Sequence, residues 1–133
     1  MPTIQAQTWK GSPFTIERTA GKASSTIVFR LRGPFTARDM YGSLTPDALN
    51  DMFELNPTAN GGLPSLNILD LTEVPYMDSS GLGVIVRHYV RCKNKGVKLI
   101  VAGADSRVLN LFKLCNVDAL IHTAATVEEA ETR

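Results

Sequence analysis

Residues 66–102 read LNILDLTEVPYMDSSGLGVIVRHYVRCKNKGVKLIVA, and the change of hydrophobic period within this stretch decides the fold. Leu66, Ile68, Leu69 and Leu71 form a nearly continuous apolar run, the pattern of a central strand covered on both faces, with Asp70 as its exception. After a connection from Thr72 to Met77 comes Asp78-Ser79-Ser80-Gly81, and then Leu82, Ile85, Val86, Tyr89 and Cys92, whose spacings of three and four predict one buried helical stripe. Arg87, His88, Arg91, Lys93 and Lys95 fall off that stripe, mainly toward the helix C-terminus, where positive charge is favourable. His88 is therefore expected at the surface. Gly96 ends the helix as a left-handed cap, and Val97 to Ala102 is a second buried strand.

The same pattern continues downstream. Asp105 or Ser106 caps a further helix in which Val108, Leu111, Phe112 and Cys115 repeat the three-four spacing, and Asn116 can take the left-handed conformation that stops it. Leu120 to His122 reads as a short last strand, and Thr126-Val127-Glu128-Glu129 fits a capping box for a closing helical turn or two.

Upstream, Phe14 to Arg18 and Thr26 to Arg32 read as antiparallel strands joined by a turn at Gly21 to Ser25. Residues 1–12 are either a loose arm or a first edge strand. Gly33-Pro34 ends the second strand of that pair, because proline cannot donate to a ladder. Signals conflict from Phe35 to Leu44, where Gly42 interrupts any helix, and no element is assigned. Thr45-Pro46-Asp47 starts a helix with Leu49, Met52 and Phe53 inward; Asn56-Pro57 stops it, and Thr58 to Pro64 is a loop. The expectation is a single α/β domain over residues 1–133, with a mixed sheet of antiparallel N-terminal strands and parallel later strands, and helices packed on it.

Composition agrees with one folded domain. At 133 residues the chain has the size of one core, and a 44% hydrophobic, 20% charged content excludes wholesale disorder. Fourteen basic against 13 acidic residues leave a net charge of +1, too little general excess to favour nucleic acid or anionic lipid as a partner. No run approaches the ~20 apolar residues of a membrane span, and the first residues lack a secretory apolar stretch, so a cytoplasmic location is expected. Cys92 and Cys115 each fall on a helix's apolar face, outside any CxxC, and read as reduced core residues.

Enzyme signatures fail in turn. Ser80-Gly81-Leu82-Gly83 has Val86 where a dinucleotide loop needs glycine, and there is neither a phosphate-loop lysine motif nor a nucleophile elbow. His88 and His122 have no identifiable catalytic partner, and Asp39, Asp47, Asp70, Asp78 and Asp105 lack metal-ligand spacing. No catalytic role, cofactor or metal is expected.

What remains is the turn at 78–81. An Asp or Ser there can cap the helix, contributing about 1 kcal/mol, while the second hydroxyl faces outward near the ligand-prone carboxyl edge of a parallel sheet. Ser80, beside the small and flexible Gly81, is expected to be the exposed hydroxyl. The runs Asn67 to Thr72 and Tyr76 to Gly83, followed by the Lys98 to Ala102 strand and the Val108, Leu111-Phe112 helix, resemble anti-sigma factor antagonists of the STAS family. The resemblance is good over residues 65–123.

That resemblance implies that Ser80 is phosphorylated by a partner that is both a GHKL-type serine kinase and an anti-sigma factor. It also implies that a PP2C-type phosphatase restores binding, and that Asp78, Ser79, Ser80 and Gly81 form the partner-facing turn together with the position of Thr36. Family members often carry an acid where this chain has Thr36, and Asn116 replaces a usual glycine. Two other readings stand beside this one. In the first, a STAS subunit of a transport system or stress-signalling scaffold docks without phosphorylation, which Thr36 favours. In the second, a nucleotide- or small-ligand-binding protein uses the helix N-terminus at Ser79 to Gly81 for an anion.

Overall fold

A computed structural model describes residues 5–8, 14–37, 53, 55 and 62–132. Among the described residues the sheet has six strands whose spatial order repeats their chain order: β1 (Gln5–Thr8), β2 (Thr15–Ala20), β3 (Thr26–Arg32), β4 (Leu66–Glu73), β5 (Lys98–Ala102) and β6 (His122–Ala124). The pairs β1–β2 and β2–β3 are antiparallel, and every later pair is parallel. Helix α1 (Ser79–Asn94) joins β4 to β5, α2 (Ser106–Leu114) lies between β5 and β6, and α3 (Val127–Glu131) follows β6.

Residues 5–8 form the edge strand, which decides between the two options left for residues 1–12. The helix expected from Thr45 lies outside the described residues, apart from its stripe member Phe53, which is buried. The last strand begins two residues later than expected, because Val117, Leu120 and Ile121 form a hydrogen-bonded turn before it.

Alternation along the strands divides the core. Ile27, Phe29 and Leu31, with Leu69, Leu71, Leu99 and Val101, face α1 and α2 and join Phe14, Leu82, Ile85, Val108 and Phe112 in the main cluster. The opposite face carries Val28, Ile68, Ile100 and Ala124 under Ala130 and Val127 of α3. On that face the β3–β4 register shifts between Arg30 and Arg32, so that Arg30 meets Asp70 (3.3 Å) and Arg32 meets Glu73 (2.6 Å). Asp70 interrupts the apolar run of β4 because it accepts from Arg30 and also from the hydroxyl and N–H of Thr72 (2.5 and 3.0 Å).

The inner face of α1 differs from the expected stripe. Gly81, Leu82, Val84, Ile85, His88 and Cys92 are buried, while Val86 and Tyr89 only flank the core. His88, expected at the surface, is 2% exposed. Asn67 of β4 donates its amide to the Ile27 carbonyl (3.0 Å), which turns its oxygen toward His88 Nε2 at 2.6 Å and makes that nitrogen the donor. The ring packs against Phe29 and Phe53, and burial, with the nearby Arg91 charge, lowers the His88 pKa to about 3. The imidazole is a neutral core group. Cys92, one turn further on, is also buried, and burial raises its thiol pKa to about 11 against the opposing pull of Arg91 and Lys95.

On α2, Val108 and Phe112 are buried, Leu111 is partly so, and Cys115 is exposed. The expectation of a core Cys115 fails because the helix ends at Leu114, and Asn116 (φ 58°) turns the chain so that Val117, and not Cys115, returns to the core. Gly96 (φ 73°) ends α1 in the same backbone region. Asp105 caps α2 by accepting from the Val108 N–H (3.0 Å), and Thr126 caps α3 by accepting from Glu129 N–H (3.0 Å).

Candidate functional site

The turn at 78–81 lies where β4, a central parallel strand, hands over to α1. Asp78, in extended conformation, is the N-cap of α1, so Ser79 and Ser80 are its first two residues. The carboxylate of Asp78 meets three N–H donors. Its Oδ1 accepts from Ser80 (2.9 Å) and Gly81 (3.1 Å), which satisfies two of the helix end's orphan donors. Its Oδ2 accepts from Ala37 (3.1 Å), which belongs to the segment that follows β3.

That segment is bound to the turn along its length. Phe35 N–H donates to the Tyr76 carbonyl (3.1 Å), Asp78 N–H donates to the Phe35 carbonyl (3.3 Å), and Phe35 pairs with Met77 in a parallel bridge. Phe35 is fully buried and stacks on Phe14 with ring centroids 4.8 Å apart. Gly33 (φ 92°) makes the bend that leads β3 into it.

The structure therefore brings together all the residues named from the sequence, in different settings. Ser79 is exposed, whereas Ser80, expected to be the exposed hydroxyl, is half-buried, because the first turn of α1 carries Ser79 outward and Ser80 back toward the body of the domain. Thr36, at 9% exposure, offers little surface. Gly81 is neither flexible nor at the surface. It is a buried helical residue, and a Cβ there would run into the Phe35 carbonyl oxygen and lie 2.8 Å from Met77 Cγ. Its role is close approach of the helix to the 35–37 segment. Sequence reasoning missed Ala37 and Tyr76: Ala37 lies in a stretch with no assigned element and contributes only its backbone, and Tyr76, 47% exposed beside the turn, was part of the motif but had no role.

Chemically this is an edge presenting the exposed hydroxyl of Ser79, the half-buried hydroxyl of Ser80 and the aromatic ring of Tyr76, with the nearby carboxylate already engaged. Among the described residues no group of His, Cys, Asp or Glu could hold a metal ion, and no helix is long and apolar enough to cross a membrane.

A family model described as "STAS domain" matches residues 18–130. The anti-sigma-B factor antagonist of Listeria monocytogenes is 38% identical over 53 residues, 40% of this chain and 46% of that protein, so the match spans less than half the length of the curated relative. A sulfate transporter family protein from Wolinella succinogenes superimposes with a TM-score of 0.64 at 17% identity, over 81% of this chain and 83% of that one. The Bacillus cell fate determinant SpoIIAA in its phosphorylated form gives 0.56 at 17% identity, over 98% of each chain. The two structural likenesses show the shared fold.

Proposed function

Because this chain belongs to the STAS domain family, we propose that it is an anti-sigma factor antagonist, a binding module that regulates transcription by sequestering an anti-sigma factor while Ser80 carries a free hydroxyl. The observation that carries this reading is the Asp78–Gly81 turn. It sets two serines at a helix N-terminus on the carboxyl edge of the sheet, with their cap supplied by Asp78 and not by either hydroxyl. Both serines thus keep their oxygens for other chemistry.

In the proposed cycle the partner is a GHKL-type serine kinase that is also the anti-sigma factor. Ser80 Oγ attacks the γ-phosphorus of ATP and loses its proton as the bond to the ADP oxygen breaks. A PP2C-type phosphatase reverses the state by delivering water to phosphorus, releasing inorganic phosphate and restoring the hydroxyl. Between these steps the domain binds and does no chemistry of its own. Phosphate adds about −1.5 to −2 charges at a surface that must otherwise be desolvated against the partner, and an unpaired charge in such an interface weakens binding by orders of magnitude.

A second reading, a STAS subunit of a transport system or scaffold that docks without phosphorylation, draws on Thr36, which stands where an acid is expected. One experiment separates them. Wild type, Ser79→Ala and Ser80→Ala are incubated with the kinase and ATP, and incorporated phosphate is mapped. Label is expected on wild type and Ser79→Ala and absent from Ser80→Ala; equal labelling of wild type and Ser80→Ala defeats the assignment, and no label on either serine favours the second reading.

A further inference from the structure

We infer, resting on the reading of Ser80 as phosphate acceptor, that Asp78 is a positioning residue through which modification of Ser80 is transmitted to the Phe35–Ala37 segment. An N-cap requires one acceptor, and Ser, Thr or Asn supplies it as well as Asp does. Asp78 does more, because its second oxygen crosses to the N–H of Ala37, 41 residues away in sequence. One carboxylate therefore fastens two pieces of chain: the first turn of α1 through Oδ1, and the segment leaving β3 through Oδ2. The backbone bond from Asp78 N–H to the Phe35 carbonyl places the same residue on both sides of this seam.

A phosphate on Ser80 enters a place already held by an anion. The N–H of Ser80 itself lies 2.9 Å from Asp78 Oδ1, so the two negative groups share one helix end and compete for its N–H donors. The phosphate carries the larger charge and is tethered to the first turn, so the Asp78 side chain is the one that yields. When it turns away, Oδ2 leaves Ala37, and the Ala37 N–H loses that acceptor while Phe35 stays buried on Phe14. A neutral cap would feel no such repulsion. The consequence is a partner surface changed in two places by one modification: at Ser80, where charge is added, and at Ala37, where a fixed backbone N–H is released.

The test uses the full chain with phosphoserine installed at position 80 by genetic code expansion, so that no kinase is needed. Amide hydrogen exchange is followed by NMR at Ala37, Ser80 and Gly81, with Val108, whose N–H is capped by Asp105, as internal reference. Phosphorylation is expected to speed exchange at Ala37 at least tenfold in wild type and to leave Val108 unchanged. In Asp78→Asn the amide oxygen can still cap the helix, but the NH2 that replaces Oδ2 cannot accept from Ala37, so Ala37 should exchange fast with or without phosphate. Unchanged protection at Ala37 in the phosphorylated wild type overturns the inference, as does faster exchange at Ala37 and Val108 alike, which would mean general loosening. Since the phosphate is placed chemically, a kinase that ignores Ser80 defeats the functional reading and leaves this result legible.

Discussion

Gly81→Ala and Gly83→Ala make the same chemical change two residues apart on α1, and the structure predicts opposite signs. At Gly83 an added methyl meets nothing within 4 Å, so the substitution gains the helix propensity of alanine over glycine, up to about 1 kcal/mol. At Gly81 the methyl collides with the Phe35 carbonyl oxygen and lies 2.8 Å from Met77 Cγ and 3.1 Å from Phe35 Cγ. Met77 can swing aside, but the carbonyl is backbone and is held by Asp78 N–H at 3.3 Å. The helix must draw back from the 35–37 segment. Overpacking of this kind costs about 1–3 kcal/mol, and weakening the Asp78–Phe35 hydrogen bond adds about 0.5–1.5, so the net loss after the propensity gain is roughly 1–3 kcal/mol. Denaturant titration of the two variants beside wild type should separate them by about 2–4 kcal/mol, with wild type between. A Gly81→Ala variant as stable as wild type would refute the close approach on which the account of the site depends.

Phe112→Ala should cost about 3–5 kcal/mol in the same titration, and Leu111→Ala clearly less, because only Phe112 is fully buried; equal losses would contradict the placement of α2. His88 makes stability pH-dependent. With its folded pKa at about 3 against 6.5 unfolded, the unfolded chain binds the extra proton, so this contribution is intact above 6.5 and erodes as pH falls toward 3. Between pH 6.5 and about 4.5 the loss amounts to ~2 kcal/mol, and the pH slope of stability should flatten in His88→Gln over that window. In the native protein Ellman's reagent should titrate one thiol, Cys115, and Cys115→Ser should show none until denatured, since Cys92 is buried with its thiol at about 11.

Much of this architecture is legible in the residues alone. The apolar run at 66–71 and the β-branched Thr26–Arg32 stretch mark strands, Gly96 and Asn116 mark helix ends, and Asp105 and Thr126 mark caps, because each depends on local backbone chemistry. The phase of α1 is not legible with the same accuracy. Val84, Ile85 and Val86 are all apolar, so periodicity alone allows the buried stripe to turn by one residue, and only the distant Asn67 shows that His88 belongs inside. Buried polar pairs of this sort are tertiary facts. The site is legible as a motif and not as a geometry: the Asp-Ser-Ser-Gly turn can be found, but the bond from Asp78 to the backbone of Ala37 joins a stretch whose own sequence signals conflict.

A sheet whose spatial order repeats its chain order can be laid down in the direction of synthesis, each strand joining an edge already present and none needing to be threaded between two paired neighbours. The interval is uneven. After Arg32 completes β3, residues 33–65 must leave the ribosome before β4 begins, a wait of about 2–7 s at roughly 5–20 residues per second. Throughout it Ile27, Phe29 and Leu31 sit on an open edge that another nascent copy could pair with. Nascent chains stalled in this window are the ones most exposed to co-translational aggregation.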